Sequence, residues 1–182
     1  MSMRIVAGKY RHRLISYPDD AEHIRPTKDR IREALFSSLG DITSLVVLDL
    51  YAGSGALAIE ALSRGASKAY LVDNSKIALS TIKKNISYLG IDNIEILFMN
   101  DFDALESFKN KNIKFDLVLL DPPYQKGEYI KVINYLIDNH LCNSNARVVT
   151  ECNYELDFSS INNIRNIKQH RYGEIIVNVL YL

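Results

Sequence analysis

Five apolar, β-prone runs alternate with stretches of helical periodicity between Leu45 and Thr150, and this alternation predicts an α/β domain built on a mostly parallel sheet. The first of them, Leu45–Leu50, is apolar on both faces until Asp49, as strands buried between two layers of helices are. Two outlying segments break the rhythm: a small β-hairpin at the amino end and a longer antiparallel hairpin at the carboxyl end. At 182 residues, 47% hydrophobic and 24% charged, the chain can bury a real core. No apolar run approaches the ~20 residues of a membrane-spanning helix.

In chain order, Arg4–Ala7, Gly8-Lys9 and Tyr10–Ser16 read as the amino-terminal hairpin, with Ile5, Ala7, Leu14 and Tyr17 as its packing residues. That is too little apolar surface for independent stability, so the hairpin must lean on the larger domain. A polar loop from Pro18 to His23 leads to Thr27, a helix N-cap, with Asp29 in the first turn where the helix dipole favours it. Ile31, Ala34, Leu35 and Leu39 recur at helical spacing, and Gly40 ends the helix. Leu45–Leu50 is the first buried strand; Gly53 and Gly55 turn it into a helix marked by Leu57, Ile59, Ala61 and Leu62. Lys68–Asp73 is the second strand, and Ser75 caps a helix whose Ala78, Ile82, Ile86 and Leu89 share a face. Ile94–Met99 and Phe115–Leu120 come next as strands around a short helix after Asn100-Asp101-Phe102. Tyr129, Ile133, Leu136 and Ile137 mark the next helix, and Arg147–Thr150 the fifth strand. Ile164–Arg171 and Glu174–Tyr181, joined at Tyr172-Gly173, form the final hairpin.

The net charge is zero, but residues 1–32 carry eight basic side chains against four acidic ones, a net +4 that leaves −4 for the rest. A basic lobe on a slightly acidic body can engage phosphates, and it can equally be a solvated surface. Arg4, Lys9, Arg11, Arg13, Arg25 and Lys28 are its candidate anion contacts. Cys142 and Cys152 lie apart from any His/Cys cluster, which points to buried free thiols in a reducing cytosol and to no metal site.

The chemistry gathers at the strand ends. In a parallel sheet, ligands bind beyond the carboxyl ends of the strands, and here those ends carry Asp49 with Gly53 and Gly55, then Asp73, Asp101 and Asp121. Gly53 to Ala58 also satisfies the dinucleotide pattern G-x-G-x-x-G/A, with Asp73 near the distance for a ribose contact. Against a nicotinamide oxidoreductase stands Asp49, whose charge would repel a pyrophosphate and suits an ammonium or sulfonium instead. Nor does the chain offer a separate substrate domain. At Asp121-Pro122-Pro123-Tyr124 a dry strand stops on two prolines, which fix the backbone and supply no N–H. That leaves a carboxylate, unused carbonyls and an aromatic face together, a set suited to a planar group bearing an amine. The same residues also fit a plain turn with Asp121 as a cap.

Asp49-Leu50-x-x-Gly53-x-Gly55, with acids after the second and third strands, resembles class I S-adenosylmethionine-dependent methyltransferases, which have a Rossmann-like fold. Asp121-Pro122-Pro123-Tyr124 resembles the signature of those that modify exocyclic amines of bases. Arg4–Gly8, Arg25–Phe36, Ala52–Leu57, Glu60–Ala66 and Tyr172-Gly173 are similar to the RsmD family, which methylates N2 of a guanine in 16S ribosomal RNA. The likeness spans nearly the whole chain and is weakest over residues 150–170. It implies a seven-stranded sheet with one antiparallel carboxyl-terminal strand, residues 25–182 as the methyltransferase domain, and residues 1–24 as an RNA-binding hairpin extension. It also implies roles: Asp49, Gly53 and Gly55 lining the methionine part, Asp73 on the ribose hydroxyls, and Asp101 on the adenine amine with Phe102 beside it. S-Adenosylhomocysteine would be the product.

On that resemblance, Asp121 and the Pro122 carbonyl accept the two N–H bonds of the target amine, Asp121 takes its proton, and Tyr124 stacks on the base. The partner implied is 16S rRNA or the small ribosomal subunit, with no membrane, and the protein is expected to be a cytoplasmic monomer. An N6-adenine methyltransferase acting on DNA or RNA would use the same acceptors. A non-catalytic RNA-binding module is the alternative of another class, disfavoured by the intact acids.

Overall fold

The computed structural model describes residues 2–17, 29–122 and 127–182. Strands β1 (Ser2–Arg4) and β2 (Leu14–Ser16) pair antiparallel and stand apart from the main sheet. After α1 (Asp29–Leu39) the chain alternates: β3 (Val46–Asp49), α2 (Ala56–Ser63), β4 (Lys68–Asp73), α3 (Lys76–Leu89) and β5 (Ile94–Phe98). It continues through α4 (Asp101–Asn110), β6 (Phe115–Leu120), α5 (Glu128–Asp138) and β7 (Cys142–Cys152) to β8 (Asn166–Tyr172) and β9 (Ile175–Tyr181). The seven strands lie in the order β5-β4-β3-β6-β7-β9-β8; all pairs are parallel up to β7, and β9 is antiparallel to both its neighbours. This is the Rossmann-like α/β architecture expected. The order reverses beside β3, so a crevice opens where β3 and β6 diverge into their loops.

Strand alternation divides the core in two. Val47, Leu71, Leu119 and Val149 face a layer that includes Leu35 and Phe36 of α1, Ile59 of α2 and Ile82 of α3. Leu48, Tyr70, Val118 and Val148 face the other, with Phe108 of α4 and Tyr129 and Ile133 of α5. Asp49, Asp73, Asp121 and Glu151 each come two positions after a residue of the first set, so the same alternation turns all four toward the α1–α3 side. The Ser75 hydroxyl accepts the Ala78 N–H at 3.3 Å and caps α3 as expected. At the end of α1, Gly40 is joined by Arg147 of β7, which donates to the Leu39 and Asp41 carbonyls. The bond to Leu39 satisfies a last-turn acceptor that the helix leaves open, and the one to Asp41 holds the chain just beyond it.

The amino-terminal hairpin departs from its predicted bounds. Its strands are three residues each, and Ile5 to Arg13 form the connection between them. Tertiary partners take the backbone groups that a longer ladder would have used. Glu60 of α2 accepts the Val6 and Ala7 amides at 2.9 and 3.0 Å, and the Ser63 hydroxyl accepts the Tyr10 amide at 2.9 Å. Gly8 has φ +80°, and a Cβ there would lie 1.7 Å from the Ser63 carbonyl oxygen, so only glycine allows this approach. The packing residues are Met3, Ile5 and Ile15, whereas Leu14, expected inside, is 56% exposed because it is out of phase with the buried alternation. The hairpin thus shares the main core.

Arg32 corrects the charge reading. A count of charges puts it in the basic lobe, but it is 1% exposed, 3.5 Å from Glu60 and 2.9 Å from Asp29, and it donates to the Arg4 carbonyl. Its charge serves the interior. The fifth strand also runs further than Arg147–Thr150, and its register against β6 shifts between Phe115 and Leu117. Asn143 donates to Asp116 at 2.8 Å in this irregular stretch, which is too polar to read as strand. The last hairpin turns at Gly173-Glu174, one residue later than expected. The thiol of Cys152 is buried and that of Cys142 half-buried; both are free. The predicted Thr27 cap and the Pro18–His23 loop lie outside the described residues.

Candidate functional site

The loop after β3 is held from both sides. Leu50 N–H donates to the Leu119 carbonyl at 3.2 Å and Ala52 N–H to the Val72 carbonyl at 3.0 Å, extending the ladders past the last strand residue. The chain then turns at Gly53 and Gly55 into α2. Gly55 has φ +77°, and an added Cβ would stand 3.0 Å from Leu71, so the helix start requires glycine there. Beside Gly53 nothing lies within 4 Å of the Cβ position, which leaves room for a ligand against the backbone.

Around this loop the strand-end acids converge. Asp49 is 2% exposed and accepts the Ala58 N–H at 3.2 Å. Burial pushes its carboxyl up to about 7, with the charge of Asp73 acting in the same direction. Asp73 accepts the Gly53 amide and the Ser75 amide, each at 2.8 Å, and so ties the loop to the start of α3. Asp101 accepts the Tyr51 hydroxyl and the Phe102 amide, also at 2.8 Å. Burial, and then the bond to Asp101, raises the Tyr51 hydroxyl far above its ordinary range. Phe102 stands on the first turn of α4, partly exposed, its ring edge-on to Tyr135 at 5.5 Å.

Asp121 completes the group at the end of β6, half-buried, with Pro122 buried behind it. Its carboxyl is held well above the ordinary range by burial first, then by the charges of Glu151 and Asp49. Asp49, Gly53, Asp73, Asp101 and Asp121 thus gather at the carboxyl ends of the strands, whereas Gly55 is buried against Leu71, Ile82 and Ile59. Tyr124 lies outside the described residues, as do Arg25 and Lys28. Among the described residues no group of three or more His, Cys, Asp or Glu could hold a metal ion, and no helix is long and apolar enough to cross a membrane.

Among the described residues, the basic candidates of the hairpin connection, Lys9, Arg11 and Arg13, are not at this crevice. Lys9 N–H donates to the Ser63 carbonyl at the far end of α2, and the Lys9 ammonium sits 5.2 Å from the Tyr10 ring. Arg13 lies 4.9 Å over the ring of Tyr88 in the last turn of α3, and Arg11 is exposed nearby in the chain. From Ser75 to Tyr88 the helix climbs about 20 Å at ~1.5 Å per residue, so Arg13 is roughly that far from the crevice, and Lys9, at the far end of α2, about 12 Å. Arg4 is exposed and pairs with Asp29 at 3.5 Å.

Three side chains of the site are absent from the sequence-based candidates. Tyr51 reads in the sequence only as a turn residue. Asn85 is 2% exposed; it accepts the Ser16 amide at 2.7 Å and donates to the Ser16 and Ser54 carbonyls at 2.9 and 3.0 Å. It thereby joins the hairpin to the glycine loop. Glu151, 8% exposed at the end of β7, neighbours Asp121 through the pairing of Leu120 with Thr150. The last two carry a signal: Asn85 is a polar residue inside the α3 apolar stripe, and Glu151 is an acid one position beyond the predicted strand end.

The chain is similar to known proteins. The family described as Conserved hypothetical protein 95 matches residues 3–181. Ribosomal RNA small subunit methyltransferase D of Buchnera aphidicola from Acyrthosiphon pisum is 38% identical over 81% of this chain and 76% of its own length. The protein of the same name from Escherichia coli K12 is 35% identical over 84% of this chain and 76% of its own. The solved structure of yhhF from Escherichia coli superposes with a TM-score of 0.83 at 31% identity, covering 100% of this chain and 98% of that one.

Proposed function

Because the chain belongs to the ribosomal RNA small subunit methyltransferase D family, we propose that it transfers a methyl group from S-adenosylmethionine to the exocyclic N2 amine of a guanine in 16S rRNA of the small ribosomal subunit. The reading includes action as a cytoplasmic monomer. The observation that carries it is the meeting of two unlike sets of groups: a glycine loop ringed by Asp49, Asp73 and Asp101, and beside it Asp121 on a proline-stiffened strand end.

The residues present fit the cofactor. Asp73 and Asp101 offer carboxylate lone pairs for ribose hydroxyls and an adenine amine, since their bonds to Gly53, Ser75, Tyr51 and Phe102 fill one site on each oxygen. The space beside Gly53 admits a ligand close to the backbone, and Asp49 forms a floor whose charge an ammonium or sulfonium offsets. Phe102 flanks Asp101 at the adenine end. When bound, S-adenosylmethionine supplies an electrophilic methyl on a positively charged sulfur and leaves as S-adenosylhomocysteine.

The protein's own task is alignment and proton handling. A guanine N2 lone pair is delocalised into the ring and attacks poorly. Asp121 and the Pro122 carbonyl accept its N–H bonds, so the lone pair turns toward the methyl. As the N–C bond forms and the S–C bond breaks, positive charge grows on nitrogen, and the Asp121 carboxylate stabilises it and takes the proton. Burial and the two neighbouring acids make Asp121 a stronger base than an ordinary aspartate, which suits it to that proton. Tyr124 stacks on the base. Arg13, about 20 Å away along α3, and Lys9 and Arg11 of the same hairpin connection hold phosphates of a structured RNA rather than the target nucleotide itself.

Labelled-methyl transfer to 16S rRNA, small subunits and DNA, with nucleoside identification, tests this. N2-methylguanosine from the RNA substrates is expected. N6-methyladenosine would replace the guanine reading with an adenine one, and no transfer to any substrate would remove the enzymatic one. The acid at Asp49 adds a pH signature. In the free protein it takes up a proton as pH falls through about 7, whereas a cationic cofactor favours the ionised form. S-Adenosylmethionine affinity should therefore rise from about pH 5.5 to about pH 7 and then level off, by up to about tenfold per pH unit. Calorimetric titration measures it; a flat profile would detach Asp49 from the ligand.

A further inference from the structure

We infer that Glu151 is the residue that selects guanine over adenine, by accepting the N1–H of the target base beside Asp121. The inference rests on the guanine-N2 reading and adds to it the group that reads the base. In the β6–β7 ladder Leu120 pairs with Thr150, so Asp121 and Glu151 are the next residues on adjacent parallel strands. Such strands run about 4.8 Å apart, and in-register parallel neighbours point to the same face. Both acids come two positions after inward residues, Leu119 and Val149, which places them on the side of the sheet where Asp49 lies. Glu151 is 8% exposed, and the Tyr129 hydroxyl of α5 donates to its carbonyl, fixing the backbone that presents it. After burial, its charge is the next cause holding the Asp121 carboxyl above the ordinary range.

Methyl transfer as derived for Asp121 uses one carboxylate and leaves this second one unassigned. The chemistry of the two purines assigns it. Along the edge that carries the reacting amine, guanine presents N1–H next to the N2 amine, two donor groups side by side. Adenine presents its N6 amine next to N1, a lone pair. Two carboxylates in a row match the first edge and repel the second. A carboxylate has about four lone-pair sites, so Glu151 can serve an internal partner and still accept from the base. Sites built to bond a substrate N–H reject an analogue lacking it far more strongly than apolar pockets reject a missing methyl, because the polar group is left facing nothing.

The test uses a base that keeps the reacting amine and reverses this pattern at N1. Wild-type labelling first locates the methylated guanine; small subunits are then assembled with guanine or 2-aminopurine at that position. 2-Aminopurine keeps the N2 amine, loses the O6 carbonyl and carries a lone pair at N1. The wild type should prefer guanine by about 10²-fold or more in kcat/KM. In Glu151→Gln the carboxamide can turn its NH₂ toward N1, so the ratio should move toward 2-aminopurine by about tenfold or more. A ratio is insensitive to how much of the variant is folded. An unchanged ratio in Glu151→Gln, with guanine still methylated by the wild type, would overturn the role of Glu151 alone. Equal use of both bases by the wild type would overturn it without any variant. Absence of guanine methylation in the wild type would overturn this inference together with the reading it rests on.

Discussion

Asp121→Ala is expected to lower methyl transfer by about 10²- to 10⁴-fold, the range lost when a positioned proton acceptor is removed. The cofactor should still bind, because the glycine loop is held by Asp73, Asn85 and the flanking strands, none of which depends on Asp121. Asp121→Asn sharpens the test. The carboxamide keeps one acceptor oxygen and nearly the same volume, but it cannot take a proton and brings an NH₂ toward an amine that is itself a donor. It should therefore lose most of the activity that alanine loses. Single-turnover transfer measured beside calorimetric binding of S-adenosylhomocysteine separates the two effects. Turnover within about tenfold of wild type in either variant would sink the role given to Asp121. A parallel loss of cofactor affinity would mean that the carboxylate supports the pocket rather than the transfer.

Asp121 is legible in the sequence because it ends a mostly apolar run, and the same holds for Asp49 and Asp73. A carboxylate at the carboxyl end of a parallel strand is where the fold opens, so position along the chain and position in space agree. Glu151 obeys the same rule and is hidden only because Cys142–Asn145 and the end of β7 mix polar residues into the strand, which masks its true length. Arg32, Glu60 and Asn85 are illegible for another reason. Each is polar, lies in a helix and is buried, and each finds its partners in other elements of the chain. Periodicity records which face is inward, but not whether a polar residue on that face has a partner waiting. The hairpin illustrates the converse: local propensity places strands at Arg4–Ala7 and Tyr10–Ser16, and the side chains of Glu60 and Ser63 claim amides that those strands would have paired. Pattern along the chain is a good guide where the backbone bonds to itself, and a poor one where side chains from afar bond the backbone.

Glu60→Ala should be the most destabilising single change near that hairpin. Glu60 is fully buried; it accepts the Val6 amide at 2.9 Å, the Ala7 amide at 3.0 Å and the Arg64 Nε at 2.8 Å, and it lies 3.5 Å from Arg32. Alanine would leave the 1%-exposed Arg32 guanidinium facing a void, with Asp29 still beside it. Breaking a buried pair by deleting one member costs about 3–5 kcal/mol. For a domain of this size each kcal/mol lowers Tm by about 2–4 °C, so a fall of about 10 °C is expected. The loss should also be local in a way that a general core defect is not. Amide exchange at Val6 and Ala7 should approach that of open chain, while amides in β3, β4 and β6 stay protected, because their ladders do not pass through Glu60. Freed from α2, the hairpin would carry Lys9, Arg11 and Arg13 away from their fixed place, so RNA affinity should drop by more than cofactor affinity does. Thermal denaturation, hydrogen exchange and the two binding titrations read these separately. A Tm within about 2 °C of wild type would show that the Arg32–Glu60 contact adds little to the fold. Uniform loss of protection across the sheet would show that hairpin and sheet unfold as one unit, so that the phosphate-binding tip is held by the whole domain rather than by Glu60.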